Sequence, residues 1–178
     1  MQKNRFQIFK HRRWKPADVH QLTGINPNAL RNLRYRELIS EPGGDHEKWL
    51  SLTTVAQLQL QQLLANHGFG PKLVHQTACD FSRLVVQHAL AERRSWISDE
   101  AWEAWKAGPT FKTPAARYLV LPSSAETSFS TNDISDAVSR SREVFTVVDL
   151  TRAGRELAAN LAKRPSDIVR KSSRSTGS

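Results

Sequence analysis

The 178-residue chain has a single cysteine, Cys79, and a single methionine. One thiol excludes an internal disulfide framework and a cysteine-rich zinc site, both of which need several sulfurs. Cys79 therefore reads as a small residue packed on a helix. No apolar run reaches the ~18 residues that a membrane span requires. The opening stretch MQKNRFQIFKHRRWKP has no apolar segment of the kind a secretory signal carries, so a cytoplasmic location and no membrane partner are expected. Also missing are a glycine-rich phosphate loop, an HExxH pair and a nucleophile with a base positioned beside it. The histidines His11, His20, His46, His67, His75 and His88 are scattered along the chain. Neither enzymatic activity, nor a metal, nor a cofactor is expected from this inventory.

What the chain does have is hydrophobic residues at 39%, enough for a real core, and a formal net charge of +9 that is unevenly placed. Residues 1–36 hold nine Lys and Arg against one acid, Asp18, and residues 163–178 hold five against Asp167. The remaining middle carries three more acids than bases. Basic ends on a slightly acidic body are the footprint of a polyanion-binding protein, with nucleic acid the first candidate and anionic membrane the second.

Along the chain, residues 1–15 read as a basic arm. It interleaves Phe6, Phe9 and Trp14 with Lys and Arg, to lie along phosphates or in a minor groove, or to cover the core. Pro16 opens a helix with Val19 and Leu22 on one face, and Gly24 stops it. Asn26 and Pro27 then form a cap and first turn for a second helix running to about Leu38. Leu30, Leu33 and the aliphatic part of Arg34 face inward there, which leaves Asn28, Arg31, Asn32 and Tyr35 on the opposite side. Two short helices joined by a glycine-containing turn predict a helix-turn-helix whose second helix can enter a major groove. Pro42, Gly43 and Gly44 predict a turn, and KWLSL an extended return, together a small hairpin or wing. Thr54 is the expected cap of a helix from Val55 to His67, with Val55, Leu58, Leu63 and Leu64 inward and Gly68 as its stop.

A helix over residues 71–95 follows, opened by Pro71. Its stripe of Val74, Phe81, Leu84, Val85 and His88 has heptad-like spacing, suited to pairing with a second copy or to packing on its own domain. Residues 96–163 predict a smaller α+β region that extends the dimer or binds a partner. Its parts are a short helix capped by Ser98, strands at 117–121 and 143–150, and a last helix capped by Thr151 with Leu157 and Leu161 on one face. Trp96, Trp102 and Trp105 read as a core or dimer stripe, with a small-molecule pocket as the alternative. Residues 164–178 predict a disordered basic tail. The fold class expected is mainly α: an N-terminal winged helix-turn-helix over residues 16–70, a long dimerisation helix, and a small C-terminal α+β region with two short strands.

Residues 23–74 resemble the winged helix-turn-helix domain of the MerR family of bacterial transcription regulators. The family pattern is a TGVS-x-x-x-LRYYE stretch, a wing ending R-x-YS-x-xDV, an apolar helix and an LGFS turn. Here TGIN precedes Leu30-Arg31 at the family spacing, KWLSLTTV stands at the wing's return, and HGFGPKLV stands at the turn. The chain departs where the family has two aromatics (Asn32 and Leu33 here) and where the wing has Arg and Tyr (Lys48 and Leu50 here). The metal-binding cysteines of the metal-sensing branch are absent, which removes metal sensing.

The chemistry expected from the second helix is base readout by Asn28, Arg31, Asn32 and Tyr35. Asn pairs bidentately with adenine and Arg with guanine, each contact contributing roughly 1–3 kcal/mol of discrimination. Arg12, Arg13, Lys15, Arg34, Arg36 and Lys48 are the expected phosphate contacts, which set register and salt dependence. The expected function is a nucleoid-associated regulator that acts as a homodimer on a two-fold symmetric site in double-stranded DNA, with RNA polymerase or another regulator as a further partner. Two other readings stand beside it: a DNA-architectural or excisionase-like protein of a mobile element, and a protein-binding adaptor without DNA affinity.

Overall fold

The computed structural model describes residues 14–36, 38–39, 50–92, 100, 103, 116–123, 128–140 and 144–163. Six helices and three strands are formed among them: α1 (Pro16–Thr23), α2 (Pro27–Tyr35), α3 (Leu52–Asn66), α4 (Pro71–Glu92), β1 (Tyr118–Pro122), β2 (Phe129–Thr131), α5 (Ile134–Arg140), β3 (Phe145–Asp149) and α6 (Leu150–Lys163). The architecture is mainly helical with one small antiparallel sheet, as the sequence predicts in outline. The Pro42–Gly44 turn, the tryptophans and most other residues of the helix expected from Ser98, and the basic tail lie outside the described residues, while Glu100 and Glu103 of that helix are helical.

The α1–α2 unit is built by local chemistry. Asp18 accepts from the Lys15 backbone N–H at 3.3 Å, which ties down the first turn of α1. Gly24 ends it with φ 77°, a left-handed conformation that glycine adopts without a Cβ penalty. The Gly24 N–H donates to the His20 carbonyl at 2.8 Å. The Thr23 hydroxyl donates to Val19 O and accepts from Ile25 N–H, and the His20 ring donates to Ile25 O at 2.7 Å. Asn26 then caps α2 by accepting from Asn28 N–H at 2.8 Å. A three-residue turn held by this many bonds fixes the direction of α2 relative to α1.

Helix α3 is the centre of the molecule. It starts three residues earlier than Thr54 predicts, because the Ser51 hydroxyl accepts from Thr54 N–H at 3.1 Å and so serves as the cap. Its apolar residues are too many for one face: Leu52, Val55, Ala56, Leu58, Leu60 and Leu64 are all buried. A helix apolar around most of its circumference sits inside a bundle rather than on it. Helix α4 packs on α3 on one side and on α6 on the other, and α6 also reaches α1 and α3.

Strand β1 is the middle strand, antiparallel to β2 through Leu119↔Ser130 and to β3 through Val120↔Val147. Two of the three strands match the expected pair; β2 and the short helix α5 lie in a polar stretch with no apolar period to announce them. Helix α6 begins at Leu150, directly after β3. Asp149 accepts from Arg152 N–H at 3.1 Å, so the cap is Asp149 rather than Thr151. One buried cluster runs from Trp14 to Leu161. The segments expected as separate units, 16–70, 71–95 and 96–163, therefore contribute to a common core.

Candidate nucleic-acid interface

Helix α2 has one buried side and one solvent side. Leu30 is buried and Leu33 packs against the core, while Asn28, Arg31, Asn32 and Tyr35 are exposed, Tyr35 to 89%. Among the described residues none of these four side chains makes a hydrogen bond or an ion pair. An arginine and two amides turned outward with their donors unspent can form the paired hydrogen bonds that a base edge offers.

The expected phosphate contacts are distributed less evenly. Lys15 and Arg36 are exposed at the two ends of the α1–α2 unit, and Arg36 occupies the C-cap of α2. Arg34 is half-buried with its Nε closed off from water and takes part in an interaction within the chain. Its burial agrees with the inward lean of its aliphatic stem. Arg12, Arg13 and Lys48 lie outside the described residues, as do Phe6 and Phe9. Trp14, the last aromatic of the arm, is buried, and its backbone forms an antiparallel bridge with Leu50 through N–H···O bonds of 3.0 and 2.8 Å. For Trp14 the core-covering reading holds, and the arm meets the KWLSL segment at Leu50.

The stripe read as a pairing face is largely used by the chain itself. Val74 and Val85 are buried in the shared core, where α4 meets α3 and α6, so their role here is intramolecular packing. Phe81 and Leu84 are half-buried against the same core. His88 bonds through Nε2 to the Ala116 carbonyl at 3.0 Å and ties α4 to the start of β1. A heptad-like stripe is satisfied equally by helices of one chain or of two, because the apolar face is the same in both cases.

Sequence reasoning passed over the polar residues buried beside α2. Gln57 donates to the Leu38 carbonyl at 3.2 Å and so fastens the chain just after α2 to the central helix. Gln61 is 5% exposed and donates to His75 Nδ1 at 3.4 Å. Their signal is the spacing of Gln57 and Gln61, one turn apart on a helix that also carries Gln59 and Gln62. Cys79 lies on the same side of α4, its sulfur 3.7 Å from His75 Nε2. Burial first, and then the Asp80 carboxylate, push its thiol up, which favours the protonated form. Among the described residues no group of three or more His, Cys, Asp or Glu is gathered where it could hold a metal ion, and no helix is long and apolar enough to cross a membrane.

No protein-family model matches the chain, and no curated protein is significantly similar to it in sequence.

Proposed function

We propose that this protein is a sequence-specific DNA-binding transcriptional regulator whose α1–turn–α2 unit is the DNA-reading part of a winged helix-turn-helix. The observation that carries this reading is the outer face of α2. Asn28, Arg31, Asn32 and Tyr35 stand exposed and uncommitted on a helix whose position is fixed from behind by Leu30 and Leu33 and from before by the capped turn. Positioned polar groups on a rigid element are what base readout needs. The basic N-terminal stretch supplies the sequence-independent attraction to phosphates.

A helix of nine residues reads only a few base pairs, so the proposal includes a homodimer on two half-sites at a fixed spacing. The less buried edge of α4, with Phe81 and Leu84, is the part of the stripe still open to a second copy.

The test is selection of bound DNA from a random pool at two salt concentrations, with wild type and Arg31→Ala side by side. The expected result is a two-fold motif for wild type. Arg31→Ala should lose about 1–3 kcal/mol of discrimination at one position of each half-site while still binding in a salt-dependent way. Enrichment of no motif by wild type would overturn the regulator reading. Bending of DNA at several adjacent sites would point to an architectural protein, and absence of any salt-dependent binding to an adaptor.

A further inference from the structure

Leu30 and Leu33 hold α2 to the core and the capped turn fixes where the helix begins, which leaves its tilt to be set. Among the helices α2 packs mainly on α1, which in turn rests on α3 and α6. An open cleft of about 440 Å³ separates α2 from the end of α3, with Ala29, Asn32 and Leu33 on one side and Gln62, Ala65 and Phe69 on the other. Apolar burial is non-directional, so two inward leucines on a nine-residue helix resist its departure from the core more than its rotation.

Two side-chain amides supply the direction. Helix α1 ends at Thr23, so the Leu22 carbonyl is one of the last four that a helix leaves without a partner of its own. The Asn160 amide of α6 donates to it at 3.1 Å, from 138 residues away in sequence. Beyond the other end of α2, the Leu38 N–H donates to the Leu33 carbonyl at 2.9 Å, and the Leu38 carbonyl accepts from Gln57 of α3 at 3.2 Å. Gln57 is 4% exposed, and its amide nitrogen also lies 3.2 Å from Cys79 Sγ of α4. Hydrogen bonds weaken steeply away from linearity, so each of these resists rotation as well as separation. One precedes the turn and the other follows α2, and they come from different helices.

We infer that Asn160 and Gln57 are positioning residues that aim α2, Asn160 through the seat of α1 and Gln57 through the chain leaving α2. The consequence for DNA rests on the reading role proposed above. A base-reading side chain must be held within about 0.5 Å and 10–20° of its productive geometry, so a small tilt of α2 costs specificity. Attraction to phosphates is sequence-independent and survives such a tilt. The last helix of the chain thereby becomes part of the reading apparatus.

The test uses the full chain with Asn160→Ala, Gln57→Leu and a control, Gln59→Leu. The control removes another amide bond, from Gln59 to the Ala153 carbonyl at 3.1 Å, which joins α3 to α6 and involves neither α1 nor α2. Residual dipolar couplings, measured without DNA, report the direction of each helix. In Asn160→Ala and Gln57→Leu the couplings of residues 28–35 should depart from the wild-type orientation while those of α3 and α4 keep it; in the control all should keep it. On a site selected by wild type, both variants should lose about tenfold or more in the ratio of specific to scrambled-site binding, with scrambled-site affinity held within about twofold. Unchanged α2 couplings in Asn160→Ala would overturn the assignment, as would an equal change in Gln59→Leu or an unchanged binding ratio. Asn160 is half-buried, so Asn160→Ala decides the matter if Gln57→Leu, at a buried site, does not fold. If wild type selects no site, the regulator reading fails, and the couplings still decide whether the two amides aim α2.

Discussion

At the scale of single residues, Asp149 shows how one carboxylate can hold a junction. It ends β3, caps α6 through Arg152 N–H, and lies 3.4 Å from the Arg117 guanidinium. Burial alone would raise its pKa. The bond from Arg152 N–H, the charge of Arg117 and a bond from Thr151 N–H outweigh that and hold the carboxyl below its ordinary value. Ionised Asp149 therefore favours the folded state above the ordinary carboxylate range, near pH 4, and this contribution fades as pH falls through the folded value. Asp149→Ala should cost about 0.5–2 kcal/mol at pH 7 through the lost cap. Asp149→Asn keeps an acceptor, so its smaller deficit should be present at pH 7 and shrink below about pH 4. Urea denaturation of the three proteins at several pH values measures both; a deficit that grows in acid would contradict the assignment.

A second residue-scale test concerns the turn before α2. Asn26→Ala removes the cap bond to Asn28 N–H and should lower stability by about 1 kcal/mol. If the position of α2 matters for DNA, the same variant should weaken specific binding more than non-specific binding, measured on a selected site and on a scrambled one.

At the scale of elements, the closeness of α4 and α6 depends on Gly154. A Cβ there would meet the His88 Cβ and would lie 2.8 Å from Ala89 N and 2.9 Å from the His88 carbonyl carbon. Ala89, Ala153 and Ala158 are buried around the same crossing, so two backbones approach where no large side chain intervenes. In an isolated helix Gly→Ala would gain about 1 kcal/mol. Here two of the three obstacles are backbone atoms that cannot swing away, and overpacking of this kind costs typically 1–3 kcal/mol or more. Gly154→Ala should therefore lower the stability of the folded chain, read as a lower denaturation midpoint. A rise in the midpoint would mean that the helices separate easily.

At the scale of the whole molecule, α6 connects the sheet to the α1–α2 unit. Asn160 donates to the Leu22 carbonyl at 3.1 Å, Gln59 of α3 donates to the Ala153 carbonyl at 3.1 Å, and Arg155 pairs with Glu92 of α4 at 3.3 Å. Leu157 is fully buried within the shared cluster. Leu157→Ala should cost about 2–5 kcal/mol. If the core is one cooperative unit, the slowest-exchanging amides of α1, α3 and β1 should all speed up by a similar factor in hydrogen exchange. Acceleration confined to β1 and α6 would mean that the N-terminal helices stand alone.

The local chemistry was legible in the chain itself. Pro16, Gly24, Asn26 and Pro27 mark the ends of α1 and α2 because caps and breakers act within a few residues, whatever surrounds them. The outward face of α2 followed from the 3.6-residue period, and β1 and β3 from their apolar runs. The cap residues Ser51 and Asp149 were misplaced because Thr54 and Thr151 are equally competent oxygens nearby, and only the path of the preceding chain chooses between them. Tertiary structure alone decided that the α4 stripe packs on α3 and α6, that Gly154 is a point of close approach, and that a cleft opens between α2 and the end of α3. Each of these depends on which surfaces meet, and an apolar face does not specify its partner in advance.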